Sequence, residues 1–266
     1  MLAALLLGVL QGLTEFLPVS SSGHLVLFQQ WLHVPGDEVL FDLVCHLGTL
    51  VPVIFFYRKS LLDMLRAPFV EKGPLSERPS TKLMLLILVA TVPTGLIGVL
   101  FKDFFEQLFD TPGVLAITFG LTGTLLFVSR YAKQGAIDPQ TMLWWHALAL
   151  GVAQGLAITP GISRSGTTIA VALFLGLSRE YAARFSFLMS IPAILGAFVL
   201  KAKDAELAAL DPITLSAGFV ASLIAGYGAL VLLVKLVKSG DFSKFSFYAW
   251  GMAIFAGLGA VLGWFG

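Results

Sequence analysis

The chain has 266 residues, of which 57% are apolar and 12% are charged, and its mean hydropathy is +0.89. Soluble domains carry about 25% charged residues, so this composition excludes an ordinary soluble protein and predicts an integral membrane protein. Lys+Arg 17 against Asp+Glu 16 leaves the chain nearly neutral, which gives no reason to expect nucleic acid as a partner.

The first residues, MLAALLLGVLQGL, are apolar enough to suggest a signal peptide. They have no basic start and no clear small-residue cleavage site, so we expect them to belong to the mature fold. Cys45 is the single cysteine, which excludes an intramolecular disulfide and a cysteine-based zinc site.

Membrane-spanning helices need about 20 apolar residues. Six segments qualify: 40–57, 83–101, 113–131, 184–200, 213–236 and 246–265. Two further apolar stretches, 2–33 and 143–177, are interrupted by Pro, Gly and Ser, so each is expected to form two half-length helices joined by a polar turn. Each stretch is either one kinked span or a re-entrant hairpin. Irregular backbone at membrane depth survives only where protein or a wet cavity surrounds it.

The re-entrant alternative makes a prediction about loop charge. If both hairpins return to the side from which they enter, all but four of the basic residues fall on one side of the membrane. Lys102, Lys201 and Lys203 fall on the opposite side, and Arg164 stays within the membrane. The opposite loops are mostly acidic. The positive-inside rule then places both termini outside the cytoplasm.

The two interrupted stretches match each other at a constant offset of 143 residues. Identical pairs begin at Gly8, Val9, Gln11, Gly12, Leu13, Ser20, Ser22 and Gly23. Each half of the chain, 1–135 and 143–266, then holds one hairpin and three spans, and the odd number of spans inverts the second half. The sequence therefore predicts a single all-α membrane domain of six transmembrane helices and two re-entrant hairpins in an inverted repeat, with a site where the broken helices meet.

Each hairpin turn carries a Ser-x-Ser-Gly element followed by an apolar helical run. Serine is a good N-cap and glycine permits close backbone approach. A helix N-terminus offers free N–H groups and partial positive charge, which favour an anion such as phosphate. Two such termini predict a buried anion site.

Arg164 and Glu15 are charged residues within these membrane stretches. An arginine at membrane depth costs at least about 2.5–3.5 kcal/mol, so it needs a partner. One interpretation is a permanent pair with Glu15. The other is that Arg164 binds a phosphoryl group, while Glu15 ligates a cation or acts as an acid or base. Gln11 lies one helical turn before Glu15 on the same face.

Ser21 and His24 are three residues apart, close enough for a hydroxyl to pass a proton to an imidazole. The alternatives are plain capping for Ser20 and Ser22 and a structural helix-start role for His24. Asp42 and His46 form an i, i+4 pair that suits either a second metal site or a local ion pair or hydrogen bond.

The segments QGLTEFLPVSSSGH and PGISRSGTT, with ARFSFLMSIPAILGA at 183–197, resemble the bacterial undecaprenyl-diphosphate phosphatase family known for bacitracin resistance. The resemblance implies hydrolysis of undecaprenyl diphosphate, a divalent cation such as Mg2+ or Ca2+, and a periplasmic site in the inner membrane. It also implies Glu15 as the carboxylate and metal ligand, Ser21 as the nucleophile, and His24 and Arg164 as further catalytic residues. The substrate-binding candidates are Gln11, Ser20, Ser22, Ser163, Ser165, Gly166 and Thr168.

One position departs from the family pattern, because many members carry glutamate where this chain has Gln11. That leaves one carboxylate and puts a two-carboxylate metal site in doubt. Direct attack by water remains open beside Ser21, and so does the choice of Glu15 or His24 as proton acceptor. A transporter or flippase for a prenyl phosphate lipid is the alternative function, and a homodimer is one alternative for the oligomeric state.

Overall fold

The computed structural model describes residues 1–34, 38–109, 111–201 and 211–264, and it contains twelve α-helices within these ranges. They are α1 (Leu2–Phe16), α2 (Ser21–Gln29), α3 (Glu38–Phe56), α4 (Arg58–Val70), α5 (Pro79–Leu100), α6 (Lys102–Phe109), α7 (Val114–Ser129), α8 (Trp144–Leu156), α9 (Arg164–Phe174), α10 (Arg179–Lys201), α11 (Pro212–Ser239) and α12 (Phe245–Val261). Asp37, Asp110 and 202–210, which the charge prediction places on the less basic side, lie outside the described residues.

Five of the described helices are long and apolar enough to cross a membrane: α3, α5, α10, α11 and the stretch that contains α12. The 16-residue α7 makes a sixth span only when the short α6 before it is counted with it. The prediction of an all-α membrane protein is confirmed. Helix α5 presents a lipid-facing stripe on one side, since Leu88, Val92, Leu96 and Val99 are more than half exposed and recur at helical spacing.

Both interrupted stretches break where the sequence predicts. Helix α1 ends at Phe16 before α2 begins at Ser21, and α8 ends at Leu156 before α9 begins at Arg164. The two helices of each pair pack against each other. This packing favours a hairpin over a single kinked span.

Each hairpin packs against a long helix from the other half of the chain, α1 against α11 and α8 against α5. Glycines make this close approach possible: a Cβ atom on Gly12 would lie 2.6 Å from the Ser222 carbonyl oxygen, and one on Gly151 would overlap the Ala90 carbonyl oxygen. Small residues at membrane helix interfaces allow such backbone contact. The reciprocal packing is consistent with the predicted inverted repeat.

Local capping explains where two of the long helices begin. Proline occupies the first turn of α5 and of α11, where a missing N–H costs nothing. The Glu71 carboxylate accepts hydrogen bonds from the N–H groups of Ser80 and Thr81 at 3.1 and 3.0 Å. Desolvation acts to raise the pKa of Glu71, but the hydrogen bonds from Thr81 and Ser80 outweigh it and hold that pKa below its usual value.

Contacts between distant segments gather several basic stretches at one end of the bundle. Lys82 Nζ donates to the Gln140 carbonyl oxygen, and Lys238 forms an ion pair with Glu180 at 3.0 Å. An isolated parallel β-bridge pairs Ile137 with Leu177, two residues before α10 begins. These contacts bring together loops that the charge prediction assigns to the same side.

Candidate active site

The buried carboxylate of Glu15, at the end of α1, joins the two hairpins. Its Oε1 accepts a hydrogen bond from Arg164 Nη2 at 2.5 Å, and its Oε2 accepts one from Ser21 Oγ at 2.7 Å. Gln11 Nε2 donates to the same Oε2 at 3.1 Å. The pair with Arg164 that the sequence suggested is therefore present, and Ser21 lies on the other oxygen of the same carboxylate.

Ser21 and Arg164 occupy the same position in their helices, since each is the first residue after a serine N-cap. The Oγ atoms of Ser20 and Ser163 accept the N–H groups of Gly23 and Gly166 at 3.3 and 3.1 Å. The N–H groups of the first helical turn cannot bond within the helix. Those of Ser21 and Arg164 belong to that class and suit an anion.

The two turns touch each other through glycine. A Cβ atom on Gly23 would lie 2.8 Å from the Cα of Gly161 in the opposite turn, and one on Gly166 would lie 3.2 Å from the Cβ of Pro18. Gly161 also has a φ of +85°, which side-chain-bearing residues rarely adopt. The contact brings the starts of α2 and α9 together.

Ser165 fixes this arrangement further, because its Oγ donates to the Phe16 carbonyl oxygen at 2.9 Å. That bond ties the start of α9 to the end of α1, one residue from Glu15. Ser165 thus positions the site, and its hydroxyl is already engaged in this conformation.

Two polar atoms beside the Glu15 carboxylate are buried and have no hydrogen-bond partner among the described residues: Arg164 Nη1 and Gln11 Oε1. A buried donor or acceptor without a partner costs about 1–3 kcal/mol. One is a donor that suits a phosphoryl oxygen, and the other is an acceptor that suits a cation or water. These unpaired atoms argue that the site is built for more than the ion pair between Arg164 and Glu15.

His24 is buried but does not contact Ser21 through either ring nitrogen. Its Nδ1 lies 2.7 Å from the Ser20 carbonyl oxygen and its Nε2 lies 2.8 Å from the Tyr248 hydroxyl. The ring lies edge-on to Phe119. In this conformation Glu15, rather than His24, is the group placed to accept a proton from Ser21.

His46, on α3, also reaches the site, with Nε2 3.6 Å from Glu15 Oε2. Its Nδ1 lies 2.7 Å from the backbone carbonyl oxygen of Asp42, while the Asp42 carboxylate accepts a hydrogen bond from Gln29 Nε2 at 2.9 Å. The contact of His46 is therefore with the backbone of Asp42, and the predicted pairing of the two side chains stays a prediction. The sequence did not predict that His46 faces Glu15. A histidine within an otherwise apolar span was the signal that could have found it.

Thr168, Ser22 and Ser163 are placed around the site without reaching Glu15. The Thr168 hydroxyl donates to the Arg164 carbonyl oxygen at 2.8 Å and lies 2.5 Å from Ser186 Oγ. The Oγ atoms of Ser22 and Ser20 lie 3.3 Å apart, and those of Ser163 and Ser165 lie 3.4 Å apart. These hydroxyls support the turns.

A divalent cation is compatible with the donor atoms, although they are few. The described residues contain no group of three or more His, Cys, Asp or Glu side chains with metal-binding geometry. The Glu15 carboxylate and the unpaired Gln11 Oε1 are both hard oxygen donors. Magnesium is commonly held by one or two carboxylates together with substrate phosphates, so this set fits a cation that binds with its substrate.

The fold and the site together define a multi-pass membrane protein with a serine, a carboxylate and an arginine at the meeting point of two broken helices. Comparison with known families is consistent with that class: the model of the bacitracin resistance protein BacA family matches residues 4–255. The chain belongs to this family.

Curated relatives match over nearly the full length of the chain. An undecaprenyl-diphosphatase of Carboxydothermus hydrogenoformans is 45% identical over 94% of each chain. One of Alkaliphilus metalliredigens is 45% identical over 93% of this chain and 94% of the relative. One of Methanobrevibacter smithii is 39% identical over 97% of each chain.

Proposed function

We propose that this protein hydrolyses undecaprenyl diphosphate to undecaprenyl phosphate and inorganic phosphate. This reaction recycles the lipid carrier of cell-wall synthesis and confers resistance to bacitracin. The observation that carries the proposal is the contact of Ser21 Oγ and Arg164 Nη2 with opposite oxygens of the buried Glu15 carboxylate. The names of the full-length relatives support it.

The arrangement suits attack by Ser21 on the terminal phosphorus. The Oγ–P bond forms as the bridging P–O bond breaks, and the electron pair leaves on undecaprenyl phosphate. Glu15 Oε2, 2.7 Å from Ser21 Oγ, takes the hydroxyl proton and returns it to Oγ when water releases phosphate from the serine. A base within hydrogen-bond reach of the proton it removes is the geometric requirement.

Arg164 stabilises the charge on the transferring phosphoryl group. Its unpaired Nη1 is available to a phosphoryl oxygen, and the free N–H groups at the starts of α2 and α9 add partial positive charge. Phosphoryl transfer depends chiefly on such positioning and electrostatic stabilisation. Direct attack by water, with Ser21 holding the phosphate, uses the same residues.

Glu15 and Gln11 are the residues that would hold a Mg2+ or Ca2+ ion. When bound, the ion neutralises negative charge on the phosphoryl oxygens. The unpaired Gln11 Oε1 supports this part of the proposal.

The proposed location is the bacterial inner membrane, with both termini and the active site on the periplasmic side. The bias of basic residues toward one set of loops supports this orientation. A homodimer is a further alternative, which light scattering of the purified protein in detergent will decide.

A transporter or flippase for a prenyl phosphate lipid is the competing function. A transporter needs only reversible binding, whereas Ser21 lies in hydrogen-bond contact with a carboxylate that can accept its proton. That contact favours the enzyme.

The test is phosphate release from farnesyl diphosphate by purified protein in detergent, with and without Mg2+. Wild type is compared with Ser21→Ala and Arg164→Ala, and Ser76→Ala in an exposed loop is the matched control. We expect metal-dependent release by wild type and Ser76→Ala and a loss of at least about 100-fold in the other two. Saturable binding without release by folded wild type would make transport the better account.

A further inference from the structure

We propose that His46 is a third ligand of the divalent cation at this site, and that the site therefore prefers a cation that accepts imidazole nitrogen, such as Mn2+, over Ca2+. The inference rests on the proposed function, which supplies the cation, and adds a residue and a metal selectivity to it.

The orientation of the His46 ring follows from its hydrogen bond to α3. A backbone carbonyl oxygen can only accept, so Nδ1, 2.7 Å from the Asp42 oxygen, carries the hydrogen. A ring whose single hydrogen is on Nδ1 has its lone pair on Nε2. This is the arrangement found in most metal-bound histidines, whose other nitrogen donates to a carbonyl or carboxylate.

Nε2 faces a second acceptor instead of a donor. It lies 3.6 Å from Glu15 Oε2, which is longer than a hydrogen bond. Gln11, which with Ser21 donates to this oxygen, has a buried carbonyl oxygen without a partner among the described residues. The observed contact is thus between a ring nitrogen and a carboxylate oxygen, and a positive ion between them would satisfy both.

The separation of the two atoms allows one ion to contact both. Bonds from a transition metal to imidazole nitrogen and carboxylate oxygen are each about 2.0–2.2 Å long, so two such bonds span about 4 Å, more than the 3.6 Å observed. His46 is also 29% exposed at its side chain, which gives an ion a route to the buried Glu15.

The ligand types determine the selectivity. Carboxylate and amide oxygens suit Mg2+, Ca2+ and Mn2+, whereas imidazole favours transition metals over Ca2+. Mn2+ accepts oxygen and nitrogen ligands together, so a site with His46 binds it better than a site with oxygen alone.

Electron paramagnetic resonance of Mn2+ added to the purified full-length protein in detergent tests the proposal without relying on activity. We expect electron spin echo modulation from a bound 14N nucleus in wild type and in the control His33→Gln, whose exposed histidine lies outside the site. His46→Gln should lose the modulation and bind Mn2+ at least about tenfold more weakly. The same substitution should lower the ratio of Mn2+ affinity to Ca2+ affinity.

Three results would overturn the proposal: no Mn2+ bound by wild type, bound Mn2+ without 14N coupling, or unchanged coupling in His46→Gln. The second result would fit a proton, rather than a metal, between His46 and Glu15. Phosphate release by the same wild-type sample is measured in parallel. Its absence would refute the phosphatase, whereas its presence with any of these three results would refute only the role of His46.

Discussion

Arg164 meets Glu15 through one terminal nitrogen and leaves the other unpaired. A guanidinium can hold a carboxylate and a phosphoryl oxygen at once because its donors lie in a planar fork. A lysine ammonium keeps the charge but loses this fork. We expect Arg164→Lys to lower kcat/KM for farnesyl diphosphate by about 100-fold, with Arg130→Lys at an exposed position unaffected. Equal activity of the two variants would mean that a positive charge at position 164 is sufficient for activity and that the planar fork is not needed.

Tyr248 contacts His24 from α12, far along the chain from the hairpin. Its hydroxyl lies 2.8 Å from His24 Nε2, and His24 Nδ1 in turn lies on the carbonyl oxygen of Ser20, which has a φ of 66°. We expect His24 to hold this left-handed turn in place next to Ser21.

Tyr248→Phe should therefore lower kcat by about fivefold, the effect of one hydrogen bond of about 1 kcal/mol, and leave KM unchanged. Steady-state kinetics measure this, with Tyr131→Phe, which is 69% exposed, as the control. An unchanged kcat would show that the Tyr248 hydroxyl does not position His24.

Sequence reasoning predicted the residues of the two hairpins better than their partners from other helices. Glu15, Ser21 and Arg164 stand out because charged and hydroxyl groups are costly within apolar stretches, and the structure brings these three together. His46 and Tyr248 join them only through packing of α3 and α12, which periodicity in one sequence does not specify. Thr168 lies in the same motif as Arg164, yet its hydroxyl is engaged with its own helix.

At the scale of helices, the glycines of the repeat act mainly in packing. Gly12 lies where α1 touches the backbone of α11, whereas nothing lies within 4 Å of a Cβ atom added at Gly95 on α5. We expect Gly12→Ala to destabilise the fold by about 1–3 kcal/mol through overpacking. Gly95→Ala should be neutral or slightly stabilising, because alanine favours the helix. Thermal unfolding in detergent measures both, and equal melting temperatures would contradict the tight contact between α1 and α11.

At the scale of the whole molecule, the arrangement of the loops predicts which ends of the bundle meet the cytoplasm. Ser76 lies in the basic 58–82 region, and Thr111 lies three residues before α7 on the opposite side of the predicted layout. Both are exposed, while the native Cys45 is buried.

A membrane-impermeant maleimide should label Thr111→Cys in intact cells and Ser76→Cys only after permeabilisation. The unaltered chain should stay unlabelled because its one thiol is inaccessible. The reverse pattern would invert the proposed orientation.

Ser21 and Arg164 are counterparts at the offset of 143 residues, and each begins a helix after a serine cap. A pair of identical subunits built from one such hairpin would present either two serines or two arginines at this place, never one of each. A hydroxyl and a guanidinium therefore meet on one carboxylate here because the two matching stretches belong to one polypeptide and differ at this position. What the stretches share shapes the two turns, and what they do not share sets the chemical groups that the turns present.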